Sequence, residues 1–159
     1  MHGPVLILDN IRSAYNVGAI FRTADAVGVH HIYLIGCTPS PVDRFQRPVK
    51  EIAKTALGAE RSVPYSVHTD VGLVMSRLRQ AHVQIVAVEQ VPAAVSIYEY
   101  RPVGATAYVF GNEVDGVSSA ALHAADDFVA IPMRGQKESL NVSVSVGVTL
   151  YVVAAQSVH

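Results

Sequence analysis

Along the chain, short runs of apolar residues alternate with longer stretches in which apolar positions recur every three or four residues. The runs are PVLIL (4–8), HIYLIG (31–36), VPYSV (63–67), VQIVAVE (83–89), ATAYVF (105–110) and DFVAIP (127–132). Rich in β-branched and aromatic side chains, most of them read as buried strands. Between them, VGAIFRTADAVG sets Val17, Ile20, Phe21, Ala24 and Val27 at helical spacing, and Gly28 stands where a left-handed residue would end the helix. DVGLVMSRLRQA puts Val71, Val74, Met75 and Leu78 on one face behind Asp70 as an N-cap, and SSAALHAA predicts a shorter helix. This alternation predicts an α/β domain with a mainly parallel sheet and helices on both faces.

The stretch ESLNVSVSVGVTLY (138–151) does not settle so easily. Val142, Val144, Val146 and Val148 alternate with Ser143, Ser145, Gly147 and Thr149, and period-two alternation is the mark of a half-buried strand. The same residues taken at helical spacing place Val142, Val146 and Leu150 in one apolar stripe, with Ser143 and Gly147 as small residues that admit a close neighbour.

Composition narrows the functional classes. At 159 residues the chain suits one ordinary domain, and with half its residues apolar and 16% charged it has the makings of a packed core, not of a disordered segment. Without an apolar run of about 18 residues or a signal-peptide pattern, the expectation is a cytoplasmic protein. Cys37 is the only cysteine and has no internal disulfide partner. A net charge of −1 rules out a global basic field, yet residues 44–61 hold Arg44, Arg47, Lys50, Lys54 and Arg61 against Glu51 and Glu60. Such a segment holds phosphates or is simply a solvated face.

In open parallel sheets, ligands gather outside the carboxyl ends of the strands. That directs attention to residues 9–16, 89–92, 111–116 and 132–141. There, Asn10 and Asn16 have the chemistry of turn and N-cap residues. Arg22 stands three positions before Asp25, the spacing of a surface ion pair. Asn112 and Glu113 follow a glycine at a strand end, and Ser139 and Asn141 sit where a helix would be capped. The seven histidines lack zinc-site spacing, so no metal is expected. G-x-G-x-x-G, the P-loop and G-x-S-x-G are all absent.

Taken together, these loops resemble the three motifs of the SpoU/TrmH family of RNA ribose 2′-O-methyltransferases, of the SPOUT class. The first, N-x-x-x-x-x-N-x-G-x-x-x-R-T-A-D-A, runs from Asn10 through Asn16, Gly18 and Arg22 to Ala26. The second, Y-V-F-G-N-E-x-x-G, spans 108–116, and the third, I-P-M-x-G-x-x-x-S-L-N-V-S-V, spans 131–144; KTALGAE at 54–60 adds a further likeness. The resemblance implies an α/β sheet whose C-terminal segment forms a deep trefoil knot, a helix beginning near Asn141, and a homodimer with its active site near the subunit interface. It implies S-adenosylmethionine as cofactor, held by Val88, Glu89, Phe110, Gly111, Asn112, Gly116, Ile131, Met133, Ser139 and Leu140. It also implies catalysis by Arg22, supported by Asn16, Glu113, Ser139 and Asn141, with Arg22 acting either as a transiently neutral base or as an orienting and stabilising cation.

RNA, either tRNA or rRNA, is the implied partner, with Arg12, Arg44, Arg47, Lys50, Arg134 and Lys137 as phosphate contacts. The expected unit is a single catalytic domain over 1–159 without a separate RNA-binding domain. Two rivals make different claims. A non-catalytic accessory protein on the same fold would bind cofactor and RNA without turnover, and a generic flavodoxin-like domain would be unknotted and take a phosphate-bearing cofactor.

Overall fold

The computed structural model describes residues 3–156. The strands are β1 (Val5–Asp9), β2 (His31–Ile35), β3 (Tyr65–His68), β4 (Gln84–Val88), β5 (Val95–Ser96), β6 (Thr106–Gly111) and β7 (Asp127–Ala130). The helices are α1 (Ala14–Val27), α2 (Lys50–Ala56), α3 (Ala59–Ser62), α4 (Val71–Gln80), α5 (Ser119–Ala124) and α6 (Val142–Gln156). Among the described residues the strands form one sheet in the order β3-β2-β1-β6-β4-β7-β5, and every ladder pair is parallel.

Period-two alternation divides the core. Leu6 and Leu8 of β1 face one layer with Phe21 of α1, Ile52 of α2 and Val146 of α6, while Val5 and Ile7 face the other with Met75 and Leu78 of α4 and Ala121 of α5. Both faces are therefore covered, which is what an all-parallel sheet requires. Local signals act where expected. Gly28 ends α1 in the left-handed region at φ 79°, its N–H reaching the carbonyls of Ala24 and Asp25, and Asp70 caps α4 by accepting from the Leu73 amide.

The C-terminal alternation resolves as helix. Val and Thr cost about 0.5 kcal/mol each relative to Ala in a helix, but burying Val142, Val146, Leu150 and Val153 stabilises by ~1.5–3 kcal/mol per side chain. Packing wins. Gly147 turns toward α1, where an added Cβ would stand 3.9 Å from the Thr23 methyl, and α6 packs on α1 and β6.

Two local expectations need correction, and one element was not expected. VPYSV begins too early, because Val63 is the C-cap of α3 and the strand starts at Tyr65. Ser13, not Asn16, caps α1; its side chain accepts from the Asn16 amide, so Asn16 already lies in the first turn. The short edge strand β5, two residues long, has no periodic signal of its own and takes its place only by pairing with β7.

Candidate functional site

β1, β6, β4 and β7 are neighbours in the sheet, so the loops leaving their carboxyl ends lie side by side. Polar groups tie them together, buried at Asp9 and Asn112 and more open at Glu89 and Gln90. Asp9, at the end of β1, accepts from the Ser118 amide at 2.8 Å. Asn112 donates through Nδ2 to the Asn10 carbonyl at 2.8 Å and accepts from the amides of Val114 and Asp115. Glu89, at the end of β4, accepts from the Val117 amide at 3.0 Å, and Gln90 donates to the Ile131 carbonyl at 2.8 Å.

These loops enclose a cavity of about 470 Å³. Each residue expected to hold the cofactor lines it, namely Val88, Glu89, Phe110, Gly111, Asn112, Gly116, Ile131, Met133, Ser139 and Leu140, together with Glu113 and Asn141. Gly111 and Gly116 are required by the loop itself. A Cβ on Gly111 would meet the Val117 nitrogen at 2.0 Å, and one on Gly116, already at φ +72°, would meet a Glu89 carboxylate oxygen at 2.3 Å. Gly111 thus serves close approach of its own chain, whereas Gly116 supplies the positive φ. Six residues of the wall were not foreseen as site residues: Gln90, Val114, Asp115, Ala130, Val142 and Ser145. Ser145 could have been found once the C-terminal segment was read as helix, since it lies four residues after Asn141 and shares its face.

At the mouth, Glu113 faces the N-terminus of α1. Its carboxylate accepts from the backbone amides of Arg12 (3.2 Å) and Ser13 (3.3 Å) and from Asn16 Nδ2 (3.2 Å). An anion placed there meets the backbone N–H groups just ahead of the helix and the positive end of the helix dipole. Partial burial alone would raise the Glu113 carboxyl. The hydrogen bonds from its own backbone, from Arg12, from Asn16 and from Ser13 outweigh that and hold it below the ordinary glutamate value. Asn16 Oδ1 in turn accepts from Asn141 Nδ2 at 3.2 Å, and Asn141 Oδ1 caps α6 by accepting from the Ser143 amide at 2.9 Å. Asn141 is both a helix cap and the third member of an exposed Glu113–Asn16–Asn141 chain.

Arg22 stands apart. It is exposed and does not line the cavity; it borders a separate shallow depression with Ala19, Thr23, Lys54, Thr55 and Tyr151. A single chain does not bring this guanidinium to its own cavity, because Arg22 lies six residues beyond Asn16, about 9 Å along the axis and on a different face. The surface ion pair with Asp25 does not form either, since Asp25 accepts from the Ser62 hydroxyl at 2.6 Å. Among the described residues Arg22 has no hydrogen-bond or ion-pair partner.

The basic residues sort by their surroundings. Arg12 reaches Asp115 on the cavity wall at 3.5 Å. Arg47 is paired with Asp43 at 2.8 Å, and Arg44 lies over the Phe45 ring. Lys50, Arg134 and Lys137 are exposed, the last two on the segment between β7 and α6. Among the described residues no group of three or more His, Cys, Asp or Glu side chains is placed to hold a metal, and no helix is long and apolar enough to cross a membrane.

Residues 3–151 match the model of the SpoU rRNA methylase family. A curated relative from Neisseria meningitidis, 23S rRNA (guanosine-2′-O-)-methyltransferase RlmB, is 35% identical over 146 residues, covering 92% of this chain and 56% of that enzyme. Among solved structures, the Aquifex (A. aeolicus) TrmH/SpoU tRNA modifying enzyme superposes with a TM-score of 0.84 at 29% identity, covering 98% of this chain and 76% of that one. The SpoU methyltransferase AviRb from Streptomyces viridochromogenes, solved in complex with AdoMet, gives 0.84 at 26% identity, covering 97% and 60%. The chain thus spans just over half the length of its Neisseria relative.

Proposed function

The chain belongs to the SpoU rRNA methylase family, and we propose that it transfers a methyl group from S-adenosylmethionine to a ribose 2′-hydroxyl of tRNA or rRNA. The observation that carries this reading is the charge of the cavity wall. Glu89, Glu113 and Asp115 line it, and no lysine or arginine does. Such a wall favours a ligand bearing sulfonium and ammonium charges and disfavours the phosphate-bearing cofactor of a flavodoxin-like domain. The volume falls within the roughly 300–1,000 Å³ of small-molecule pockets. Val88, Phe110, Ile131 and Leu140 offer apolar surface to an adenine ring, and the loops after β4, β6 and β7 offer backbone polar groups.

Bound there, S-adenosylmethionine supplies an electrophilic methyl group on a positively charged sulfur. The chain has to present the acceptor in line and lower the barrier at a hydroxyl that is scarcely ionised at neutral pH. Glu113, Asn16 and Asn141 hold one another in a fixed arrangement at the cavity mouth and orient the ribose, with Ser139 at the rim. Arg22, permanently charged and without a partner of its own, contacts an RNA phosphate and stabilises the developing alkoxide.

Since Arg22 is remote from the cavity of its own chain, the same reading calls for a homodimer in which a second copy brings its Arg22 to the cavity. Tyr15, Val144 and Tyr151, all about half exposed on α1 and α6, supply apolar surface for that contact. The knotted C-terminus belongs to this reading as well. Support comes from the path of residues 131–141, which pass the β4–β5 loop at Gln90 before α6 returns to α1. The unit is read as one catalytic domain acting in the cytoplasm. Mapping ribose methylation in RNA from cells with and without the protein tests the activity. Loss of a mark is expected, and an unchanged map overturns the proposal.

A further inference from the structure

Between β2 and α2 the chain makes a small hairpin that the site described above does not use. Val42 and Pro48 form an antiparallel bridge, and the Asp43 amide donates to the Arg47 carbonyl at 2.9 Å. The turn is fastened from inside by Asp43, whose Oδ1 accepts from the amides of Phe45 (2.8 Å) and Arg47 (3.0 Å). Its Oδ2 takes the Arg47 guanidinium through Nε at 2.8 Å. Hydrogen bonds from the backbone amide and side chain of Arg47 and from the Phe45 amide outweigh desolvation and hold the Asp43 carboxyl below its ordinary value. Gln46 accepts a left-handed φ of 61° to close the turn.

The product of this architecture is an aromatic ring held outward. Phe45 is 60% exposed, and two guanidinium groups attend it, that of Arg44 at 4.7 Å and that of Arg47 at 4.9 Å from the ring centroid. A single exposed apolar side chain is ordinary on a protein surface. A ring displayed by a hydrogen-bonded turn, 60% exposed and with two guanidinium groups 4.7 and 4.9 Å from its centroid, has a different chemistry. Arg47 is spent on Asp43, but among the described residues Arg44 has no acidic partner, and Lys50 follows at the start of α2. The combination of an exposed π-face with unneutralised positive charge fits a base stacked on the ring while its backbone phosphate meets the cations. A protein partner would be served by an apolar patch, yet the ring's immediate neighbours in the turn are charged or polar.

We propose that Phe45 is a stacking platform for an unpaired RNA base, with Arg44 holding the adjoining phosphate. This deepens the RNA reading above and rests on it. Phe45 is a positioning residue outside the cofactor cavity.

The chain contains no tryptophan, so Phe45→Trp installs a single tryptophan at the platform, excited selectively over the tyrosines. Titration of that variant with single-stranded oligoadenylate RNA should quench its emission, whereas an abasic ribose-phosphate oligomer should not. Phe45→Ala and Phe45→Leu should weaken oligoadenylate binding by roughly 5- to 100-fold, the range for loss of one stacked base, while Phe45→Tyr retains it. S-adenosylmethionine affinity and melting temperature should be unchanged in all of them. Equal oligoadenylate affinity for Phe45→Ala and wild type overturns the platform, as does loss of self-association in Phe45→Ala with RNA affinity intact. If the wild type also leaves cellular ribose methylation unchanged, the methyltransferase reading falls too; if the map changes while Phe45→Ala binds like wild type, only the platform does.

Discussion

At its N-terminus α1 is tied on several sides, because Glu113 accepts from the two amides just ahead of the helix and from Asn16, and Asn16 accepts from Asn141 at the head of α6. Less than three turns later the same helix presents Arg22, which touches no acidic or hydrogen-bonding partner among the described residues and stands in a shallow depression beside Lys54 and Tyr151. The first region is acidic and its side chains are hydrogen-bonded to the loops beside it; the second is basic and open, and its Arg22 side chain is without a partner among the described residues. Groups already satisfied within the fold hold geometry, and groups left unsatisfied wait for a ligand to complete them. Changes at the cavity should therefore move stability and cofactor binding together, whereas changes at Arg22 should move turnover and RNA binding and leave stability and cofactor binding alone.

The largest separation of these effects is expected from Arg22→Ala. Removing the charge proposed to meet an RNA phosphate and the developing alkoxide should lower turnover by about 10²–10³-fold. Melting temperature and S-adenosylmethionine affinity, read by calorimetry, should stay at wild-type values. A loss of cofactor affinity in parallel with turnover would merge the two regions and break the contrast. Mixing Arg22→Ala with a turnover-dead cavity variant should restore activity if two copies share a site.

Gly111→Ala should show the opposite profile. The added methyl would stand 2.0 Å from the Val117 nitrogen and 2.1 Å from the Gly116 carbonyl carbon, both backbone atoms that cannot rotate away. Overpacking of this kind costs about 1–3 kcal/mol, and the shift of the loop should carry cofactor affinity down with it. Thermal unfolding and titration calorimetry on the same variant check both halves. An unaltered melting temperature would mean that the loop is looser than its contacts imply.

A smaller effect is expected from acid. The Glu113 carboxyl is held below its ordinary value by the hydrogen bonds it accepts, so its folded pKa lies under its unfolded one. The stabilisation is then fully present above the unfolded value of ~4.3 and is lost as the pH falls through the lower folded value. Unfolding profiles of the wild type and Glu113→Gln should run parallel near neutrality and converge on acidification below about pH 4.3. Parallel profiles throughout would remove Glu113 from the group that fastens α1.

Most of the fold was legible because its elements carry period and punctuation. Val17 to Val27 repeat at helical spacing and stop at Gly28, and the central strands are unbroken apolar runs. A position set by a pairing partner far along the chain was not legible, as with β5, which owes its existence to β7; Ser13 was missed for a local reason, because two capping residue types stand three positions apart and only the backbone shows which one accepts. The cavity wall could be foreseen because the loops that build it follow adjacent parallel strands and carry the motif residues. Arg22 could be singled out as chemistry but not located, since a linear motif records which residue is present and not which face of the helix presents it. Asp9 was overlooked for a similar reason. It looks like the polar end of a strand, and only the fold shows it buried and holding the Ser118 amide.

The finest test of the contrast uses Asp115, on the cavity wall yet exposed. Its carboxylate meets Arg12 at 3.5 Å with 72% of the side chain accessible, a geometry in which an ion pair contributes about 0–1 kcal/mol. Asp115→Asn should leave the melting temperature within about 1–2 °C of wild type, since so small a term moves a domain of this size little. Its other consequence concerns sign. Removing one of three acidic groups from the wall should weaken a cationic ligand a few-fold at low salt, and the difference should fade as ionic strength rises and the Debye length contracts to about 8 Å. Arg12, released from its partner, should at the same time bind RNA phosphate somewhat more tightly. Weaker cofactor with stronger RNA is the signature of two regions divided by charge; both affinities falling together would mean that Asp115 acts by shaping the loop and that the division is one of geometry alone.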